Sequence, residues 1–128
     1  MRELKIGGQT VRVRATPLAL LYYRQEFGSD LLGDLIGTVQ GLTGLVVNGE
    51  NVDLKNIDFS KFDSVAFLKL IWAMAKADAF GKQFPSFEGW LAGLDSFDLS
   101  DPAVMTAAIE EAANGFFRSR AGIKAGVR

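Results

Sequence analysis

Hydrophobic and polar positions change period several times along the chain. At residues 3–14 they alternate: Leu4 and Ile6 stand among Glu3 and Lys5, and Val11 and Val13 among Thr10, Arg12 and Arg14. A period of two broken by Gly7-Gly8 predicts a β-hairpin, because glycine supplies the positive φ that a two-residue turn needs. One face of the hairpin is aliphatic and the other charged. A lone hairpin is marginal in water, so the aliphatic face must lie on another element. The helix that follows is the expected partner.

Thr16-Pro17 opens that helix, with Thr able to cap and Pro suited to the first turn. Leu18, Leu21, Tyr22 and Gln25 share one face, Leu20 and Phe27 adjoin it, and Gly28 is placed to end the helix. Ser29-Asp30 can cap a second helix, expected from Leu31 to about Val47. Gly33, Gly37 and Gly41 recur in it every four residues, followed by Gly44. Each interior glycine costs about 1 kcal/mol relative to Ala. The stripe therefore reads either as a face where another helix backbone comes close, or as a broken helix. Asn48-Gly49 signals a turn, and residues 48–62 read as loop.

From about Asp63 to Phe80 the pattern becomes apolar on nearly every side, with Lys69 and Lys76 marking one wet stripe. Such a helix is the buried one, and Trp72 is expected at its centre. Gly81 ends it. Pro85-Ser86 starts a short fourth helix with Phe87, Trp90, Leu91 and Leu94 on one side. Residues 95–100 form a linker. A fifth helix follows from about Pro102 to Arg118, with Met105, Ile109, Ala112 and Phe116 as its stripe, Val104, Ala108 and Phe117 flanking it, and Glu110 and Asn114 facing away. The fold class expected is α+β, mainly α: an N-terminal hairpin on a bundle of about five helices. Residues 1–117 form one domain and 119–128 a flexible basic tail.

Composition narrows the chemistry. The 128 residues contain no cysteine and no histidine. That removes disulfides, thiolate nucleophiles, Ser-His-Asp catalysis and the commonest metal ligand. No Gly-Lys-Ser/Thr phosphate loop, dinucleotide fingerprint or Gly-x-Ser-x-Gly elbow is present. Asp95, Asp98 and Asp101 are spaced by three, but capping and turn roles explain them better than a metal does. The oxygen-rich run Asn48, Glu50, Asn51 and Asp53 does not have the calcium-loop spacing. No catalytic residue, metal or cofactor is expected, and the composition argues against an enzyme.

Charge is uneven. All 15 acidic residues precede position 112, whereas residues 118–128 carry Arg118, Arg120, Lys124 and Arg128 and no acid, giving a tail of +4 and a body of −5. The acidic body would repel a nucleic-acid backbone. No apolar run reaches the roughly 20 residues of a membrane span, and the opening residues have no apolar signal core. These points suggest a cytoplasmic protein.

Several segments taken together are familiar. The charged hairpin leads to a helix ending Tyr23-Arg24-Gln25-Glu26-Phe27-Gly28, then Asp30-Leu31-Leu32. An aromatic-rich helix runs from Phe67 to Ala77. Pro85-Ser86-Phe87-Glu88-Gly89-Trp90-Leu91 follows, and a helix of acids and small residues closes the chain. Over residues 1–117 this resembles the tail assembly chaperones of long-tailed bacteriophages and prophages of Gram-positive bacteria. The resemblance implies a non-enzymatic protein of the bacterial host cytoplasm, absent from the mature virion. Its implied partner is the tape measure protein, held soluble and extended while tail tube protein polymerises around it. In the family a longer form is often made by ribosomal frameshifting, and by position alone the basic tail after Phe117 lies where a shorter product would end or a longer one diverge. The resemblance carries over no active site.

A protein that holds a coiled-coil-like partner needs apolar surface and enough charge to stay soluble. Trp90, Leu94, Phe97, Phe116 and Phe117 are the candidate partner-binding residues, with plain core closure as the competing explanation. Gly33, Gly37 and Gly41 are the candidate self-association stripe. The alternative functions are a structural tail or head–tail component, and a small nucleic-acid-binding phage regulator argued from the basic tail.

Overall fold

The computed structural model describes residues 1–40, 46–48, 51–53, 64–94, 96 and 102–117. In chain order these form β1 (Arg2–Ile6), β2 (Gln9–Val13), α1 (Pro17–Phe27), α2 (Leu31–Gln40), β3 (Val46–Asn48), β4 (Asn51–Asp53), α3 (Ser64–Asp78), α4 (Phe87–Ala92) and α5 (Pro102–Ala112), which ends in a π-helical turn, Ala113–Phe117. The fold is α+β and mainly α, with an N-terminal hairpin and, among the described residues, five α-helices. Residues 119–128, and with them the expected flexible tail, lie outside the described residues.

β1 and β2 pair antiparallel, with Leu4 opposite Val11 and Ile6 opposite Gln9. The turn uses Gly7 and Gly8 at φ 57° and 83°, as the alternating pattern requires. Leu4, Ile6, Val11 and Val13 form the buried face. That face does not lie on α1, as expected, but between two later helices: β2 runs along α3 and β1 along α5. The reason is competition for α3. A helix apolar on most sides offers several faces, and α1 and the hairpin take different ones. Trp72 in its middle is 0% exposed.

α1 turns a different face inward from the one its leucines suggest. Ala19 and Tyr23 are buried, while Leu21 and Gln25 are exposed. Small Ala19 lets the backbones of α1 and α3 approach, and the rings of Tyr23 and Phe27 then fill the space beyond. Thr16 occupies the N-cap position, but its hydroxyl makes no cap bond and is buried without a partner among the described residues. Gly28 ends the helix in the left-handed conformation, as expected.

The second helix is described over Leu31–Gln40 and does not reach Val47 as expected, since Val46–Asn48 is a strand. Val46–Asn48 instead pairs antiparallel with Asn51–Asp53, Asn48 facing Asn51. β-Branched Val46, Val47 and Val52 beside a turn dipeptide favour a short hairpin over further helix on a glycine-rich run. At its start, Asp30 accepts a hydrogen bond from the Gly33 N–H at 3.0 Å, the expected cap.

The hairpin is fastened to the helices by polar contacts as well as by its core face. Arg14 N donates to Met74 O at 3.0 Å. Arg12 and Arg14 both reach Asp78 at 3.2 Å, and Arg2 reaches Glu110 at 3.0 Å. Glu110 therefore does not simply face away. Its neighbour Glu111 is buried and accepts the Ala15 N–H at 2.9 Å. A buried carboxylate is tolerable only with such partners. At Gly115 the turn after α5 comes so close to the chain that an added Cβ would overlap the Ala15 carbonyl and methyl group. Gly7 is pressed in the same way against the backbone of Ser96.

Candidate functional site

The most densely aromatic part of the described structure lies where α1, α3 and α4 meet. Phe27 is its hub. Its ring stands edge-on to Tyr23 at 4.8 Å, to Phe87 at 5.0 Å and to Trp72 at 5.5 Å. Trp72 also meets Phe84 and Phe87 at 6.4 and 6.3 Å, and Trp90 stacks beside Phe87 at 6.5 Å. Edge-to-face pairs of this kind are worth about 0.5–1.5 kcal/mol beyond area burial.

Polar bonds hold the seam in register. Trp72 Nε1 donates to Pro85 O at 3.1 Å, so the buried indole is satisfied. The Phe87 N–H, at the start of α4, donates to Glu26 Oε2 at 2.8 Å. Ser86 caps the same helix by accepting the Gly89 N–H at 3.2 Å. The Tyr23–Gly28 and Pro85–Leu91 segments, 61 residues apart at their Glu26–Phe87 bond, thus dock directly on each other. Removing that carboxylate in Glu26→Ala should cost about 1 kcal/mol. Hydrogen exchange would register it as lost protection at the Phe87 amide, with the α3 amides unchanged.

Two cations cover the seam. Lys69 Nζ lies 5.1 Å from the Phe27 ring centre, and Lys76 Nζ lies 4.7 Å from Tyr22 and 5.2 Å from Trp72. The wet stripe expected of the third helix is therefore a pair of ammonium groups resting on rings.

Behind the seam, Asp34 accepts hydrogen bonds from the hydroxyls of Tyr23 and Ser29, each at 2.7 Å. These bonds, Ser29 first and Tyr23 next, hold its carboxyl below the usual range, helped by the field of Lys69 and opposed by burial. A carboxyl depressed in the folded state stabilises the protein above its unfolded pKa, about 4, and loses that contribution as pH falls through the folded value. Urea melts between pH 7 and 3 should show Asp34→Asn losing less stability on acidification than the parent protein. Tyr23 and Asp34 also edge a shallow pocket with Leu31, Leu35, Ala66, Phe67 and Leu70, with room for about one water.

The candidate residues distribute as follows. Trp90 on α4 and Leu94 just after it are half-buried against the core, and Phe116 is half-buried on the turn after α5. These three thus belong to two separate elements. Phe97 lies outside the described residues, and of Phe117 only the backbone is described. Gly33 and Gly37 face outward on α2 with exposed Ile36 between them. A Cβ at Gly37 would meet nothing within 4 Å, and at Gly33 only the Asp30 carboxylate at 3.7 Å. The helix persists across both glycines, and among the described residues no second backbone packs on them. Gly41, Asp95, Asp98 and Asp101 lie outside the described residues. Among the described residues, no three carboxylates gather as metal ligands would. Nor is any described helix long and apolar enough to cross a membrane.

Three features of the site went unanticipated: the Glu26 cap on α4, the ring contacts of the lysines, and buried Glu111. The last carries a sequence signal, since Glu111 continues the buried line Val104, Ala108 by a helical step.

The whole is a small, mainly helical α+β domain organised around an aromatic seam. Compared with family models, with curated proteins and with solved structures, the chain matches none of them.

Proposed function

We propose that this protein is a non-enzymatic tail assembly chaperone of a long-tailed phage or prophage of Gram-positive bacteria. In this reading it works in the host cytoplasm, binds the tape measure protein and keeps it soluble while tail tube protein assembles, and is left out of the mature virion. One observation carries the reading beyond the resemblance itself. The two segments most like that family, Tyr23–Gly28 and Pro85–Leu91, form the two sides of one seam around Trp72. The seam leaves half-buried rings and aliphatics at its rim, including Trp90 and Leu94, which suits contact with an elongated amphipathic partner. Outward-facing Gly33, Ile36 and Gly37 offer a face for self-association.

The test is co-expression with the tape measure protein encoded downstream, followed by pull-down and size exclusion. A soluble complex with a tape measure protein that otherwise precipitates is the expected result. Precipitation regardless, with no co-elution, overturns the reading. Recovery of the protein from purified virions would make it a structural tail or head–tail component. A salt-dependent shift of random DNA would make it a nucleic-acid-binding regulator.

A further inference from the structure

One line of positions along α3 and the turn after it reads Val65, Lys69, Trp72, Lys76, Phe80, in steps of four, three, four and four. The steps from Val65 through Lys69 and Trp72 to Lys76 are those of a heptad seam and keep a stripe on one narrow face of α3, and Phe80 follows in the turn after it. The two ends of the stripe are bare: Val65 is 49% and Phe80 67% exposed. Its middle is cationic, with Lys69 seated on the ring of Phe27 and Lys76 on the rings of Tyr22 and buried Trp72. Neither ammonium is in a salt bridge among the described residues, where the bridges belong to Met1, Arg2, Arg12 and Arg14. Of the nearby acids, Asp78 is engaged by two arginines and Glu26 by the Phe87 N–H, while Asp34, which lies in the field of Lys69, accepts two hydroxyls.

We propose that this face of α3, at the edge of its seam with α1, docks an amphipathic helix of a polypeptide partner that carries a carboxylate every seven residues. Lys69 and Lys76 are two helical turns apart, about 10.5 Å. A heptad-repeat helix laid alongside repeats each of its own positions at the same interval. Its carboxylates would meet the two ammoniums, and its apolar positions would cover Val65 and Phe80. A second copy of the same stripe is the wrong occupant, because lysine would then face lysine. The inference deepens the chaperone reading by naming a surface and a partner chemistry, and it rests on that reading for the identity of the natural occupant.

The test uses the full chain and labelled helical peptides of about three heptads, alike except for Glu, Gln or Lys at the position flanking the apolar seam. The Glu peptide should bind about tenfold more tightly than the Gln peptide, an advantage that high salt abolishes. Lys69→Glu/Lys76→Glu should lose the Glu peptide and gain the Lys peptide. Lys69→Gln/Lys76→Gln, which adds no like charge beside Asp34, should erase the preference while the far-ultraviolet circular dichroism stays unchanged. Equal binding of the Glu and Gln peptides, or a preference that survives the glutamine variant, would mean that the lysines only shelter Trp72 with their stems, and would overturn the proposal. In co-expression, tape measure protein retained equally by the parent and the glutamine variant overturns the inference and leaves the chaperone reading standing. Charge-selective peptide binding without tape measure capture does the reverse.

Discussion

Trp72→Ala should be the most damaging single substitution in the described structure. The side chain is fully buried, stands edge-on to Phe27 and Phe87 and donates to Pro85 O. Truncating a buried aromatic to Ala costs about 3–5 kcal/mol, a large share of the about 5–15 kcal/mol that holds a domain folded. The loss is not confined to a cavity. Without the indole, the Pro85 carbonyl loses its donor and Phe84 and Phe87 lose the ring they pack on, so α4 should loosen first. Urea titration should give a markedly lower midpoint. Trp72→Phe, which keeps the ring and loses the N–H, should fall between the two. If Trp72→Ala melts with the parent protein, the seam is not the centre of the fold.

Gly115→Ala comes second, and for an opposite reason: it adds an atom where there is no room. The new Cβ would collide with the Ala15 carbonyl oxygen and methyl group. Both are backbone or backbone-proximal, so neither can swing aside as a long side chain would. Relief requires the turn after α5 to move away from Ala15, which would also strain the Ala15 N–H bond to buried Glu111. Overpacking of this kind costs about 1–3 kcal/mol, and the backbone obstacle places this case near the top of that range. A control at Gly37, where the added Cβ meets open space, should change stability in the opposite direction, because Ala favours a helix interior over Gly by about 1 kcal/mol. Thermal melts of the two variants beside the parent protein check both signs.

Local signals made much of this fold legible before any coordinates. Alternation at 3–14, glycine at 7, 8, 28 and 81, and the near-continuous apolar run of α3 each report a property of a short stretch of chain. They place the hairpin, the end of α1 and the central helix. The misreadings arise where one element chooses among several partners. Nothing within residues 3–14 says that the hairpin faces α3 and α5 rather than α1. α1 likewise carries leucines at positions 18, 20 and 21, and it is close packing at Ala19 that decides its inward face. The expected helix from Leu31 to about Val47 runs too far, although Val46, Val47 and Asn48 carry a strand and turn signal. Of the candidate site, the rings at 27, 72, 87 and 90 could be named but not their mutual contacts. Nothing local marks Glu26, and only the docking of α4 makes it a cap.

The seating of β1 against α5 also bears on when the fold can close. The second residue of the chain pairs with Glu110, and Ala15 hangs its N–H on Glu111. A nascent chain that has emerged only as far as α4 holds α1, α3 and α4 and the β1–β2 pair, yet Arg2 and the Ala15 amide still lack their partners on α5. Long-range closures of this kind come late and leave apolar surface open meanwhile. Until α5 arrives, the growing polypeptide exposes the flank of Leu4 and Ile6 to whatever else is in the cell.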